Sequence, residues 1–255
     1  MAEDGRASIS SRMRSCSLCL FNGIYGEEFW EFNQRRFLPV VRDALAPVSG
    51  PVVDAACGAW NYYLAHLDRR ETIGIDLDDS VRERNTLHND FLICDLHEPI
   101  ALQDIGGVIS VNTWEHLQNP NKVLNNFRNI LKKDGVLIIV APQKYYYISL
   151  VVLALPNKIK DLAWRLLTRR THMPFPAYYR LCTRSSLERG ARENGFELVA
   201  YRSHDVASNW FLVAPPLFLL FCAWMSLINR VESLSPLRSS FVAVLRKTAK
   251  LRSTD

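Results

Sequence analysis

Two acidic residues and one glycine in the first third of the chain have the types and spacing of a nucleoside-binding site. Asp54 ends an apolar run, Gly58 follows it in a turn, and Asp76 ends a second apolar run. A glycine turn lets a ligand approach the backbone, and a carboxylate about 20 residues later can accept hydrogen bonds from both ribose hydroxyls. Alternatively, Asp76 only caps the helix after it, although Asp78 or Asp79 could do so. The pattern favours a cofactor that contains a nucleoside.

The elements that would position these residues alternate between short apolar runs and stretches of helical periodicity. Strands are expected at 51–54, 72–76, 91–94, 108–111, 135–140, 196–203 and 241–246. Helices are expected at 27–45, 61–67, 78–84, 120–131 and 184–194. Such alternation predicts parallel βαβ units and a doubly wound α/β sheet, whose ligands bind beyond the carboxyl ends of the strands.

Five short segments follow one another along the first 140 residues. They are 53–58 (Val-Asp-Ala-Ala-Cys-Gly), 74–76 (Gly-Ile-Asp), 94–96 (Cys-Asp-Leu), 114–120 (Trp-Glu-His-Leu-Gln-Asn-Pro) and 131–137 (Leu-Lys-Lys-Asp-Gly-Val-Leu). In this order and spacing they resemble the class I S-adenosylmethionine-dependent methyltransferases. The resemblance covers about 50–140 and resumes at 178–203 and 239–247. It implies a Rossmann-like sheet of seven strands, mostly parallel with an antiparallel last strand, and S-adenosylmethionine as the cofactor of an enzyme.

The resemblance also implies which residues bind that cofactor. They are Asp54, Ala56, Cys57, Gly58, Asp76, Leu77, Asp95, Leu96, Asn112 and Trp114. The first four would cradle the methionine part, Asp76 would hold the ribose and Leu77 would lie against the adenine. The adenine edge would contact Asp95 and Leu96. The last two would line the cofactor near the fourth strand, Asn112 through its backbone.

The turn at 56–60 departs from the family pattern of three glycines. Only Gly58 is kept, because Ala56 stands at the first place and Trp60 at the last. We interpret Trp60 as an aromatic wall of the pocket, similar to a branch of the family that also has a hydrophobic C-terminal insertion. The same departure argues against a dinucleotide-dependent dehydrogenase, because the pyrophosphate of its cofactor needs the full GxGxxG pattern.

His116 is the expected catalytic residue. Methyl transfer is an in-line displacement that depends mainly on alignment, but an oxygen acceptor must also lose its proton. In this family the segment after the fourth strand lies on the reactive side, and the titration range of histidine suits a general base. Alternatively, Glu115 and His116 only organise a loop at a helix start. His172 is a second candidate base. No cluster of His, Cys and carboxylate residues suggests a metal site.

Two hydrophobic insertions, at about 143–175 and 206–236, interrupt the alternation. The second holds an apolar run nearly as long as the roughly 20 residues of a membrane-spanning helix, but Pro215 and Pro216 break it. It also lies between two strands of one sheet, so a span is not expected. We expect peripheral docking on an anionic membrane, because basic residues follow both insertions. These are Lys158, Lys160, Arg165, Arg169, Arg170, Arg230 and Arg238. A buried helical hairpin or a dimer interface is the alternative.

Length and composition agree with one globular domain. The chain has 255 residues and a net charge of +5, with −4 in residues 1–150 and +9 in residues 151–255. We expect disorder over the Ser- and Arg-rich residues 1–20 and a single methyltransferase domain over 21–255. The lone Cys16-x-x-Cys19 pair does not indicate zinc, and no apolar run near the N-terminus suits a signal peptide. We expect a cytoplasmic location, which includes a peripheral position at the cytoplasmic face of the membrane.

The expected function is methyl transfer to an oxygen of a small-molecule or lipid-like acceptor. A lipid, a lipid-linked glycan or a hydrophobic metabolite would suit the apolar insertions. One alternative is a catalytically silent scaffold or lipid-binding protein with the same fold. A nucleic-acid methyltransferase is a weaker alternative, because no Asn/Asp-Pro-Pro-Tyr sequence follows the fourth strand. The sequence does not indicate the oligomeric state.

Overall fold

The structure, a computed structural model, describes residues 9–26, 29–68, 70–156, 176–206, 212 and 215–249. Its strands are β1 (Val52–Ala55), β2 (Thr72–Asp76), β3 (Asp90–Ile93), β4 (Ile105–Val111), β5 (Leu131–Pro142), β6 (Phe196–His204) and β7 (Ser240–Lys247). They form one sheet in the order β3-β2-β1-β4-β5-β7-β6. The first five strands pair in parallel, and β7 is antiparallel to both β5 and β6. The predicted fold class is confirmed.

Helices lie on both sides of this sheet and beyond its edge. They are α1 (Ile9–Tyr25), α2 (Phe29–Arg35), α3 (Leu38–Leu45), α4 (Tyr62–Ala65), α5 (Val81–Arg84), α6 (Pro120–Ile130), α7 (Tyr147–Ala154), α8 (Arg184–Glu193) and α9 (Pro215–Arg230). Short 3-10 turns occur at Trp114–His116 and Glu232–Leu237.

The central strands are apolar on both faces because helices cover both faces. In β5, Leu137 and Ile139 pack in a core with α6 and α8, whereas Ile138 and Val140 pack in a second core with α3. Local signals fix the ends of these helices. The Asn119 side chain caps α6 by accepting the Lys122 N–H, and Pro120 occupies the first turn.

The N-terminal segment differs from its prediction of disorder. Residues 9–25 form α1, and a third hydrophobic cluster joins α1 to α2 and α9. Phe21 is fully buried there, with its ring centroid 5.1 Å from that of Phe32 and 6.0 Å from that of Phe218. The structure therefore places residues 9–20 in a helix, and Leu18 and Leu20 pack against the cluster that also contains α9. The single helix expected at 27–45 is also divided, into α2 and α3.

Within the second insertion, residues Pro215–Arg230 form one packed helix, α9. Pro215 and Pro216 begin this helix, where a missing N–H leaves no intrahelical bond unmade. Its C-terminal end is tied to the sheet by Asn229, whose amide pairs with the backbone of Asp205 at 2.7 and 3.0 Å. None of the helices in the described part of the chain combines the length and apolarity needed to cross a membrane.

Arg238 does not flank a membrane surface as expected. Its side chain is buried and its guanidinium donates to the backbone oxygens of Ile228 and Ser203 and to a carboxylate oxygen of Glu232. Arg238 is therefore an internal brace between α9 and β6. The basic residues expected after the first insertion, at 158–170, lie outside the described residues.

Candidate functional site

The turn after β1 has a shape that leaves room for a ligand. Ala56 and Gly58 both adopt left-handed backbone angles, with φ of +57° and +51°. The Gly58 N–H donates to Asp76 Oδ2 at 2.9 Å, and its carbonyl accepts from the Asn85 side chain at 2.9 Å. Nothing lies within 4 Å of the position that a Cβ at Gly58 would occupy. Both backbone groups of Gly58 are thus fixed, and open space lies beside it.

Asp76 stabilises this turn and can still accept hydrogen bonds from a ligand. Its Oδ2 accepts the Gly58 N–H and its Oδ1 accepts the Asp78 N–H at 3.0 Å. Each carboxylate oxygen has a second lone pair, so ribose hydroxyls can still be accepted. The turn that leads into α5 is closed by Asp78, whose Oδ1 accepts the Ser80 N–H and hydroxyl. Asp78 thus orders the turn before α5, whose N-cap residue Ser80 makes no side-chain capping bond.

Two apolar side chains are exposed at the rim of this turn. Trp60 is 60% exposed and Leu77 is 63% exposed. Both follow a strand at the edge where the expected cofactor would lie, Leu77 directly after Asp76. An adenine or a methionine chain packed on them would remove apolar surface from water. The open turn, the Asp76 carboxylate and these side chains fit S-adenosylmethionine.

Asp54 is buried near the end of β1, next to the turn. The residue is 1% exposed, its Oδ1 accepts from Asn61 Nδ2 at 2.9 Å, and its Oδ2 is 3.2 Å from His88 Nε2. Burial raises the pKa of Asp54, opposed by His88. Asn61 in turn accepts the backbone N–H groups of Tyr63 and Leu64 and so starts α4. Asp54 therefore supports the turn through Asn61, and its direct contact with the methionine part of the cofactor stays a prediction.

Three other residues expected at the cofactor have their side chains in the protein core. Cys57, Leu96 and Trp114 are buried. Burial raises the pKa of the Cys57 thiol to about 12, so the thiol is neutral at physiological pH. Leu96 and Trp114 belong to the core that contains α6 and α8. These three side chains therefore support the site from the core, and contact between Trp114 and the cofactor stays a prediction.

Asp95 is held at the end of β3 by His97. Its Oδ1 accepts the His97 backbone N–H at 2.9 Å and lies 2.9 Å from His97 Nδ1. These hydrogen bonds lower the pKa of Asp95, so the carboxylate is charged. His97 Nε2 accepts the Asn119 N–H at 3.3 Å, which assigns the ring proton to Nδ1. The arrangement fixes a half-exposed carboxylate beside the position expected for the adenine.

The segment after β4 supplies Asn112 and His116. Asn112 is exposed with φ of +52°, a conformation that asparagine tolerates, and its N–H donates to the Val140 carbonyl at 2.8 Å. The side chain of His116 is 32% exposed. Its Nδ1 lies 3.0 Å from the Pro176 carbonyl, which can only accept, so Nδ1 carries the proton of the neutral ring. The lone pair is then on Nε2, which is the nitrogen that can receive a proton.

The sheet brings most of the expected residues to one edge. Ala56, Asp76, Asp95 and Asn112 each follow the carboxyl end of a parallel strand. The chain order reverses between β1 and β4, the place where doubly wound sheets open a ligand crevice. His172 lies outside the described residues.

Sequence reasoning missed three supporting residues. They are Asn61, Asn85 and His88. The N-cap position of Asn61 was a local signal, whereas Asn85 and His88 are distant in sequence from the residues that they contact.

A family model described as a methyltransferase domain matches residues 29–201 of this chain. Among solved structures, the chain is similar to the [4+2]-cyclase SpnF, with 15% identity, a TM-score of 0.55, and coverage of 98% of this chain and 100% of that one. It is similar to a SAM-dependent methyltransferase from Archaeoglobus fulgidus, with 17% identity, a TM-score of 0.51, and coverage of 90% and 99%.

A third similar structure is geranyl diphosphate C-methyltransferase from Streptomyces coelicolor A3(2), solved with S-adenosyl-L-homocysteine. It has 15% identity and a TM-score of 0.51, with coverage of 85% of this chain and 79% of that one. No curated protein matches the sequence. These identities show the shared fold, and the family model spans more than half of the chain. The chain belongs to the methyltransferase-domain family, as a transferase whose cofactor is S-adenosylmethionine.

Proposed function

We propose that this protein methylates an oxygen of a lipophilic acceptor held at a membrane surface. A lipid, a lipid-linked glycan or a hydrophobic metabolite has the required character. The observation that carries the proposal is an exposed apolar surface on α7 and α9, at the same edge of the sheet as the cofactor residues. The alternative is a catalytically silent protein that kept the fold.

The cofactor site in this proposal consists of residues at the ends of the first three strands. Asp76 accepts the ribose hydroxyls, Leu77 packs on the adenine, and Asp95 lies at the adenine edge. The open backbone at Gly58 receives the methionine part. The bound cofactor supplies a sulfonium methyl, and the chain has to hold the acceptor oxygen in line with it.

His116 removes the proton of the acceptor in this proposal. The Pro176 carbonyl keeps the ring proton on Nδ1, so Nε2 has the lone pair for this step. The acceptor O–H bond breaks and an Nε2–H bond forms, while the methyl moves from sulfur to oxygen. The proton can then pass to water, because the His116 side chain is one-third exposed.

The apolar surface, here called the docking surface, is formed by one side of two helices. On α9 it consists of Leu217, Leu219, Leu220, Trp224 and Leu227, and on α7 of Leu150, Val151 and Leu153. The opposite side of α9 is buried against α1, with Phe218 and Phe221 in the shared cluster. Tyr147 of α7 packs against the same cluster. Groups of exposed apolar residues are typical of interaction sites.

The docking surface lies at the edge of the sheet that holds the cofactor residues. β6 runs parallel to β5, because both are antiparallel to β7. α7 follows the carboxyl end of β5, and α9 lies between the end of β6 and the start of β7. A protein resting on a bilayer through these helices would therefore turn its methyl-transfer edge toward the bilayer.

An anionic membrane is the occupant that the charges favour. Residues 151–255 have a net charge of +9, and Arg230 is exposed at the end of α9. Five further basic residues, at 158–170, follow α7 in sequence. Each basic residue near an anionic surface contributes about 1 kcal/mol. A second copy of the chain would gain nothing from this charge. We accordingly propose a peripheral location at the cytoplasmic face of a membrane.

Vesicle flotation tests the docking surface with matched double variants. The test variant is Leu220→Ser with Leu227→Ser, and the control is Ile93→Ser with Val199→Ser, which removes exposed apolar residues elsewhere. Full burial of a leucine contributes about 1.5–3 kcal/mol, so the test variant should bind vesicles of phosphatidylcholine and phosphatidylglycerol at least about 100-fold more weakly. The control should bind like the native chain, and added salt should weaken native binding only in part.

Two outcomes would contradict membrane docking. The first is a native chain that floats with neither neutral nor anionic vesicles. The second is a native dimer in solution that the test variant dissociates, which would assign the surface to a second copy of the chain.

Catalysis is tested separately by titration calorimetry and by transfer of labelled methyl. S-adenosylmethionine and S-adenosylhomocysteine should both bind, and labelled methyl should enter an organic-extractable product of a membrane lipid fraction. Binding without any transfer would favour the catalytically silent alternative.

A further inference from the structure

Glu115 is a buried carboxyl group with no role in the reaction proposed above. It lies in the 3-10 turn after β4 and is 6% exposed. Its Oε1 is 3.7 Å from His116 Nε2, and its Oε2 accepts no hydrogen bond within the described part of the chain. A buried polar atom without a partner is costly and calls for an explanation.

The backbone of Glu115, not its side chain, anchors the turn. Its carbonyl accepts the N–H groups of Tyr178 at 2.7 Å and Tyr179 at 3.1 Å. These bonds join the segment after β4 to the segment before α8. A substitution that keeps the size of the Glu115 side chain would leave both backbone hydrogen bonds in place.

The groups around Glu115 leave His116 as its charge partner. Among described residues, the Tyr179 hydroxyl and the Cys182 thiol also act on this carboxyl electrostatically, and Lys144 lies near that thiol. Burial raises the pKa of both Tyr179 and Cys182, so neither is charged at neutral pH. Burial also raises the pKa of Glu115, whereas its own backbone N–H and then His116 lower it. Among the neighbouring side chains, a positive charge on His116 therefore favours an ionised Glu115, in addition to the Glu115 backbone N–H.

We propose that Glu115 is a positioning residue that stabilises the protonated ring of His116 during methyl transfer. This inference rests on the proposed function. The acceptor proton moves to His116 Nε2 as the O–CH₃ bond forms and the S–CH₃ bond breaks. The carboxylate 3.7 Å away then faces a full positive charge. Release of that proton to water restores the neutral ring.

The test compares Glu115→Gln with Glu188→Gln, a control on the exposed face of α8. Imidazole nitrogens are followed by NMR from pH 5 to 9 in protein saturated with S-adenosylhomocysteine. The proton affinity of His116 should fall about tenfold in Glu115→Gln, because an opposite charge within about 4–6 Å favours the charged form. The control should titrate like the native chain.

An unchanged His116 titration in a folded Glu115→Gln variant overturns the inference and leaves the proposed function standing. Failure of the native chain to bind S-adenosylhomocysteine would instead remove the proposed function. If Glu115→Gln does not fold, the native chain still decides. Carbon-detected NMR should show one glutamate carboxyl that responds in the same pH step as His116, as coupled groups do. Absence of that carboxyl overturns the inference.

Discussion

Replacing Asp205 with Asn should make the protein lose more stability on acidification than the native chain does. Asp205 follows β6 and is fully buried, with Oδ1 accepting the Ser239 N–H at 3.1 Å. Its Oδ2 has no hydrogen-bond partner within the described ranges. Burial raises its pKa from 3.8 to about 6, although Arg238 and the bonds to Ser239 oppose the change. The folded state therefore prefers a protonated Asp205.

The sign and size of the effect follow from this pKa. A carboxyl whose pKa is raised by folding contributes stability below its unfolded pKa, and that contribution is lost as the pH rises through 6. Between pH 7 and pH 5 the native chain should gain about 1.4 kcal/mol from Asp205. The variant lacks this gain, while the asparagine oxygen can still accept from Ser239.

His204, the preceding residue, acts in the opposite direction. Burial, with Arg36 and Arg238 nearby, lowers its pKa from 6.5 to about 4. Its contribution is present above pH 6.5 and is lost as the pH falls, by about 2 kcal/mol between pH 7 and pH 5. The contributions of Asp205 and His204 to the pH dependence of stability nearly cancel in the native chain. The difference between variants is therefore more informative than the native pH profile.

Urea unfolding followed by tryptophan fluorescence at pH 7 and pH 5 measures these differences. From pH 7 to pH 5, the free energy of unfolding of the native chain should rise by about 1.4 kcal/mol relative to that of Asp205→Asn. For His204→Gln the difference should have the opposite sign, because this variant lacks the stability that His204 loses on acidification and the native chain does not. A native-to-variant difference that stays constant with pH, or changes in the opposite direction, would refute the reasoning about Asp205.

Three further predictions concern the cofactor residue Asp76, the proposed base His116 and the packing of α9. Asp76→Ala should weaken binding of S-adenosylhomocysteine by about 10- to 1,000-fold in calorimetry, because two hydroxyls and the Gly58 N–H lose a charged acceptor; unchanged binding would exclude the ribose assignment. His116→Ala should lower turnover by about 100- to 10,000-fold with little change in cofactor binding; a loss below about threefold at saturating acceptor would show that alignment suffices. Phe218→Ser with Phe221→Ser should lower the free energy of unfolding by more than about 4 kcal/mol in urea titrations, because both rings are buried; a stable variant would show that α9 packs elsewhere.

The sequence predicted the sheet well because its strands are short, apolar and separated by strong helix signals. The predicted strand at 72–76 coincides with β2, and the one at 241–246 lies within β7. The sequence also predicted that Asp76, Asp95 and Asn112 lie at one edge of the sheet, because the carboxyl ends of neighbouring parallel strands lie at the same edge. Local pattern and connection rules suffice for that much.

The rest depends on contacts between distant segments. α1 was missed because most of the buried residues that pack on it belong to α9, about 200 residues later in the chain. The burial of Leu96 and Trp114 was missed because a role inferred from a family resemblance does not say how deeply the side chain is buried. The supports from Asn85 and His88 have no local pattern at all.

The position of β7 between β5 and β6 fixes an order for completing the sheet during synthesis. β6 pairs with β7 and, in the described sheet, with no other strand. A ribosome therefore releases β6, α8 and α9 before the strand that joins them to β5 exists. Until residues 240–247 emerge, β5 exposes an unpaired apolar edge of the kind that templates aggregation. A nascent or clipped chain that ends before Ser240 should hold a folded first half and should need a chaperone for the remainder.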